Sequence, residues 1–210
     1  MKRIVTVQHA QSQHHVNGMV GSWTDWPLTP LGLAQAQAVG QKLAAELQGQ
    51  DAVLYCSDLL RARQTAEQIG RRLRLTPIPR QELRERNLGR CCGKSVQWLR
   101  ENMERPERTV DDRLFSDGES RRDAWNRLRP FFAEIMADSR QTVLIVSHGD
   151  LLGLFHAMFL GLEAESLNSC QFSGSAGGVS HLAVEPHGTR MVWRLNDLSY
   201  LSGETGPLRP

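Results

Sequence analysis

Only four of the 210 residues are cysteines, Cys56, Cys91, Cys92 and Cys170, and none form a CxxC pair. Adjacent Cys91 and Cys92 cannot bridge to each other without strain. That excludes a disulfide framework and a structural zinc signature, and it predicts reduced thiols in the cytoplasm. No stretch approaches the roughly 20 apolar residues that cross a bilayer. Met1-Lys2-Arg3-Ile4-Val5-Thr6-Val7 runs into a strand-like segment without an apolar signal core. Charge of one sign is also missing. There are 25 basic and 23 acidic residues, for a net charge of +2, which excludes a nucleic-acid tail or a polybasic membrane anchor. No repeat, low-complexity linker, Walker loop, kinase loop or Rossmann glycine fingerprint is present. Lysine is scarce, with only Lys2, Lys42 and Lys94. The remaining bases are arginines, whose planar fork suits carboxylate and phosphate.

What is present is 40% apolar residues in a length suited to one core. One domain is expected over 1–210, with an irregular insertion around 102–118. Strands are predicted at 3–8, 52–56, 76–80 and 142–146. The last is continuously apolar, as in a parallel strand buried on both faces. Helices are predicted over 30–48, with Thr29 as N-cap and Pro30 at the first position, and from 59, where Leu59, Ala62, Ala66, Ile69 and Leu73 form a stripe. Asp58 is that helix's expected N-cap. Residues 94–101 read as helix. So does the segment after Ser120, with Trp125, Leu128, Phe132 and Ile135 in line and Pro130 as an expected kink or break. A helix over 150–160 and a hairpin of 178–185 with 190–195 complete the chain. The alternation predicts an α/β fold, a three-layer αβα sandwich around a mostly parallel sheet. Ligands of such sheets bind at the carboxyl ends of the strands.

Those ends carry Gln8-His9-Ala10-Gln11-Ser12, Cys56-Ser57-Asp58 with Arg61 one turn on, and Ser147-His148-Gly149-Asp150. One histidine at a strand end is usually structural. Two histidines, a serine and an arginine together suit phosphate, because arginine neutralises its oxygens and a neutral imidazole can attack phosphorus. An ion pair with Asp58 is the competing role for Arg61.

The order and spacing of six segments resemble the histidine phosphatase superfamily, which includes the phosphoglycerate mutases. The segments are His9-Ala10-Gln11-Ser12, Trp26 to Gly32 with Gln35-Ala36, Cys56 to Ala66, Leu83-Arg84-Glu85 with Gly89 and Gly93, Asp117 to Ser120, and Val146 to Gly149. The resemblance implies that His9 is a nucleophile that becomes phosphohistidine, its other ring nitrogen held by a backbone carbonyl. Arg61 and His148 would hold the phosphoryl group, and Glu85 would donate a proton to the leaving oxygen. Gln8, Ser12, His15, Ser57, Arg86 and Gly149 would bind substrate. No metal and no cofactor are implied.

Two departures stand out. The family's Arg-His-Gly reads Gln8-His9-Ala10 here, so a neutral amide replaces a charged fork. The family's downstream asparagine is replaced by His15, which would restore positive charge if protonated. The long segment 9–28 holds Trp23 and Trp26, either walling the pocket or packing under the loop. Three functions stay open: a phosphatase acting on a small phosphomonoester, a phosphoglycerate mutase-like phosphotransferase, and a weakly active or inactive relative that binds a phosphorylated ligand. The short 102–118 segment favours hydrolysis. The expected partner is a small phosphorylated molecule, with no nucleic acid and no membrane; the tryptophans leave room for a homodimer.

Overall fold

A computed structural model describes residues 1–201; residues 202–210 of the expected domain lie outside the described residues. Six strands form one sheet in the order β3-β2-β4-β1-β5-β6. They are β1 (Lys2–Gln8), β2 (Ala52–Ser57), β3 (Ile78–Arg80), β4 (Thr142–Ser147), β5 (Val179–Val184) and β6 (Arg190–Asp197). The pairs β1–β4, β2–β4 and β2–β3 are parallel, while the β5–β6 hairpin adds antiparallel beside β1.

Side-chain alternation splits the core between the two faces. Ile4, Val53, Val143 and Ile145 face one way, against α5 (Arg121–Ala137) and α6 (Gly149–Phe159). Val5, Val7, Leu144 and Val146 face the other way, against α2 (Pro30–Glu46) and α3 (Leu60–Leu73). This is the predicted sandwich, and β4 is buried on both faces as its apolar run required.

Thr29 caps α2 as expected, its Oγ1 accepting the Gly32 N–H at 3.0 Å. Gly32 is required by close approach: a Cβ there would lie 1.9 Å from the Gln11 carbonyl oxygen. The first turn of α2 therefore lies directly against the segment that follows His9.

One local expectation fails and another is narrowed. Asp58 does not cap α3. Its carboxylate takes Arg84 Nε and Nη2, both at 2.7 Å, and Asp25 from the 9–28 segment accepts the Leu60 N–H instead. Pro130 does not break α5, which runs unbroken from Arg121 to Ala137. A proline costs a helix the bond its N–H would make, and packing of the helix against the sheet outweighs that loss here. The buried face of α5 is Ala124, Leu128, Phe131 and Ile135, with Trp125 and Phe132 at its margin. The 9–28 segment also holds an unpredicted short helix, α1 (Gln13–Asn17). Helix α4 (Val96–Asn102) lies near its predicted place, and 103–119 contains no helix or strand. No helix among the described residues is long and apolar enough to cross a membrane.

Candidate active site

Register places the first components. Gln8 pairs with Ser147 across β1 and β4, and the His9 N–H donates to the Ser147 carbonyl at 2.9 Å. His9 and His148 thus leave adjacent parallel strands side by side. Their ring centroids lie 5.1 Å apart in a T-shaped arrangement, and both side chains are buried.

His9 is fixed in one tautomer. Its Nδ1 is 2.8 Å from the Ala10 carbonyl oxygen, which can only accept. Its Nε2 accepts from Arg61 Nε at 3.1 Å, so Nε2 carries the lone pair. Burial, then the Arg61 charge, holds the ring well below the usual imidazole pKa, leaving it neutral at physiological pH.

Arg61 is 1% exposed and makes no ion pair among the described residues. The expected alternative, a pair with Asp58, is taken by Arg84. Besides His9, Arg61 donates from Nη1 to the Thr24 carbonyl and from Nη2 to the Ser22 carbonyl, each at 2.8 Å. One N–H on each terminal nitrogen remains for a ligand. Burial lowers its pKa to about 10, so it stays cationic. His148 Nε2 lies 2.8 Å from Ser57 Oγ, and its Nδ1 is buried without a partner.

Glu85 stands at the start of α6. Its carboxylate accepts the N–H groups of Arg86 at 2.9 Å, Leu151 at 3.1 Å and Asp150 at 3.3 Å. Burial, followed by the charge of Asp150, pushes its pKa up to about 7 against those hydrogen bonds. A proton donor poised at that pH suits general acid–base work.

The remaining expected residues divide. Gln8, His15, Arg86 and Gly149 line the same pocket, of about 230 Å³, as His9, Arg61 and Glu85. Ser12 and Ser57 are fully buried behind it. The Ser12 N–H donates to His15 Nδ1 at 3.2 Å, and its Oγ is 2.5 Å from His14 Nδ1. Arg86 is held by Glu107 and, at 3.2 Å, by Asp150.

His15 stacks on His9 with centroids 5.3 Å apart and planes 7° apart. Burial and the Arg61 charge push its pKa down to about 4. It is neutral at pH 7 and supplies no positive charge. Because Nδ1 accepts from Ser12, the ring proton sits on Nε2, making that nitrogen a donor. His14 also lines the pocket, with its pKa lowered to about 3 chiefly by burial.

His9, His14 and His15 bring nitrogens within 4.8 Å of one another, a spacing that could hold a metal ion. The donor set fits a cation poorly, because Arg61 already donates to the His9 lone pair and His15 presents an N–H. The same groups fit an anion.

Neither tryptophan lines the pocket. Trp23 donates from Nε1 to the Glu85 carbonyl at 2.6 Å and packs its ring beneath Arg84 and Arg127. Ser22 was missed in the sequence. Its carbonyl holds Arg61, its hydroxyl donates to the Arg86 carbonyl at 2.7 Å, and it sits at φ 41. Backbone carbonyls leave no residue-type signal. Glu107 and Asp150 were also missed; both are acids in polar segments that only folding brings to Arg86.

A family model, the histidine phosphatase superfamily (branch 1), matches residues 4–197. A 2,3-bisphosphoglycerate-dependent phosphoglycerate mutase of Bartonella tribocorum is 30% identical over 178 residues, covering 80% of this chain and 86% of its own. Among solved structures, a mycobacterial glucosyl-3-phosphoglycerate phosphatase in complex with VO3 is 25% identical. It superposes with a TM-score of 0.79, covering 93% of this chain and 99% of its own. The alpha-ribazole phosphatase of Shigella flexneri shares the fold, with a TM-score of 0.77 at 24% identity over 93% of this chain and 96% of its own.

Proposed function

The chain belongs to the histidine phosphatase superfamily, and from that premise we propose that it hydrolyses a small phosphomonoester through a phosphohistidine on His9. The observation that carries this reading is the tautomer of His9: Nδ1–H on the Ala10 carbonyl and Nε2 unprotonated beside Arg61. In the first step the Arg61 Nε–H turns from His9 Nε2 to a phosphoryl oxygen, and the freed Nε2 lone pair attacks phosphorus as the bond to the leaving oxygen breaks. The Glu85 carboxyl proton passes to that oxygen. In the second step Glu85, now a carboxylate, takes a proton from water, whose oxygen attacks the phosphohistidine and returns Nε2 to its starting form.

Arg61 binds the phosphoryl oxygens with its two remaining N–H groups, and the unpartnered Nδ1 of His148 gains its hydrogen bond from the same group. His15 supplies a neutral Nε2–H donor where the family has asparagine. Gly149 and the Gln8 amide border the phosphoryl group. Ser12 and Ser57 act as positioning residues for the histidines in front of them. Arg86, neutralised by Glu107 and Asp150, shapes the wall rather than adding charge.

The experiment follows phosphate release from p-nitrophenyl phosphate and alkyl phosphomonoesters. His9→Ala is expected to lower kcat by on the order of 10⁵-fold or more, as nucleophile removal does elsewhere, and to abolish an acid-labile phosphoenzyme. Turnover by His9→Ala at the parent rate overturns the reading. Gln8→Arg is expected to raise kcat/KM by up to about a hundredfold, the scale of one transition-state donor. Activity appearing only in Gln8→Arg favours a binding protein. Turnover that needs 2,3-bisphosphoglycerate priming favours a mutase.

A further inference from the structure

Gln8 is shared between two spaces. It lines the catalytic pocket on one side, and on the other a cavity of about 250 Å³ between the first turns of α6 and the 171–178 loop. Its Oε1 is buried without a hydrogen-bond partner. That atom lies against Gly174, where a Cβ would fall 2.4 Å away, so the glycine lets the loop close onto the amide.

The loop is held in place from several sides. Asn196, in the left-handed region at φ 50, accepts the Ser175 N–H at 2.8 Å and donates its own N–H to Ser180 Oγ at 3.0 Å. The Gly177 N–H reaches the Gln8 carbonyl at 3.1 Å.

Among the described residues, the cavity lining contains no arginine, lysine, aspartate or glutamate. Its polar groups come from Gln8, Gln171, Ser173, Ser180, His156 and Asn196. His156 is neutral, its pKa pushed down to about 4 by burial, and its Nε2 is engaged with Thr6 Oγ1 at 2.9 Å. On the catalytic side Arg86 is already neutralised by its two carboxylates, and His14 and His15 are uncharged. Arg61 is the one lining cation with no ion pair among the described residues, and a phosphoryl dianion takes it up. A second anionic group on the substrate would lose its water against neutral amides, which is unfavourable.

We propose that the cavity beyond Gln8 seats an uncharged, hydroxyl-rich leaving group, so that the substrate is the monophosphate ester of a sugar or polyol and not of a sugar acid. This rests on the phosphomonoesterase reading of the adjoining pocket and adds the class of leaving group. The amides and hydroxyls of the lining exchange hydrogen bonds with substrate hydroxyls, and Phe172 and Leu152 cover the apolar faces between them.

The test uses equilibrium binding, so that it does not depend on turnover. Calorimetry on full-length His9→Ala compares a hexose monophosphate with 3-phosphoglycerate. The hexose ester is expected to bind at least tenfold more tightly. Adding Ser173→Trp, at an exposed position that lines the cavity, is expected to remove that difference while the same variant's affinity for inorganic phosphate, which needs only the phosphoryl site, stays within twofold. A hexose ester that binds no tighter than 3-phosphoglycerate, or a preference that survives Ser173→Trp, overturns the proposal. Failure of p-nitrophenyl phosphate turnover in the parent would count against the phosphatase reading instead, so the two failures are distinguishable.

Discussion

The site brings together two pairs of histidines built in different ways. His9 and His148 end neighbouring parallel strands, and the β-ladder sets their spacing: the His9 N–H bonds Ser147, and both side chains are buried. His14 and His15 ride on the five-residue helix α1 inside the 9–28 segment, half-buried and exposed respectively, with centroids 4.0 Å apart. Ser12 ties both of them to the loop. All four rings are neutral at pH 7, yet only the strand pair has geometry fixed by the sheet. Chemistry that needs placement within a fraction of an ångström belongs on the rigid pair, while the loop pair can adapt to a ligand.

Breaking the rigid pair is expected to cost most. His148→Ala should lower kcat by on the order of 10³-fold, the loss of one transition-state donor, with an unchanged far-UV circular dichroism spectrum. A loss below tenfold would mean that the orphaned Nδ1 does not meet the phosphoryl group.

Glu85 sharpens the comparison through pH. Its folded pKa is raised to about 7, so the protonated donor predominates below pH 7 and is lost as pH rises through it. His9 is held far below the usual imidazole value and does not lose its lone pair on that side. Turnover of alkyl esters should therefore fall above about pH 7. Glu85→Gln should lower it by about 10²-fold or more and abolish this limb, while p-nitrophenyl phosphate, whose leaving group needs no proton, is less affected. The same raised pKa means that the native state binds this proton more tightly than the unfolded chain. Its stabilising contribution is present below the unfolded value and lost as pH rises through 7. Glu85→Gln should consequently raise Tm more at pH 8 than at pH 5.

The loop pair gives the smallest effect. His15→Ala should raise KM by about fivefold, as expected for loss of a neutral hydrogen bond of about 1 kcal/mol. Because the ring titrates near pH 4, the ratio of parent to variant should stay flat from pH 6 to pH 8. A ratio that climbs as pH falls from 8 to 6 would restore His15 to a cationic role.

The fold was largely legible from residue patterns. The unbroken apolar run 142–146 marked the central strand, and the 3–4 spacing from Leu59 to Leu73 marked α3. Where local rules failed, a distant partner had intervened: Asp58 was claimed by Arg84, and α5 was carried through Pro130 by its packing. In the site, His9, Arg61 and His148 could be named because they stand at strand ends in a recognisable order. Ser22 and Thr24 could not, since their carbonyls do the bonding and any residue carries a carbonyl.

By itself the sequence determined which groups are available: one histidine after the first strand, one arginine in the first turn of α3, one carboxylate at 85, and a glutamine at position 8. Tertiary structure decided their chemical states. Arg61 fixes the tautomer of His9, and burial lifts Glu85 to about 7. It also decided which of the many arginines matter. Arg84 and Arg86 are spent on Asp58, Glu107 and Asp150, and Arg61 alone faces the pocket without a carboxylate partner among the described residues. Tautomer, protonation and pairing depend on distances and on exclusion of water, and those exist only once the chain has brought remote segments together.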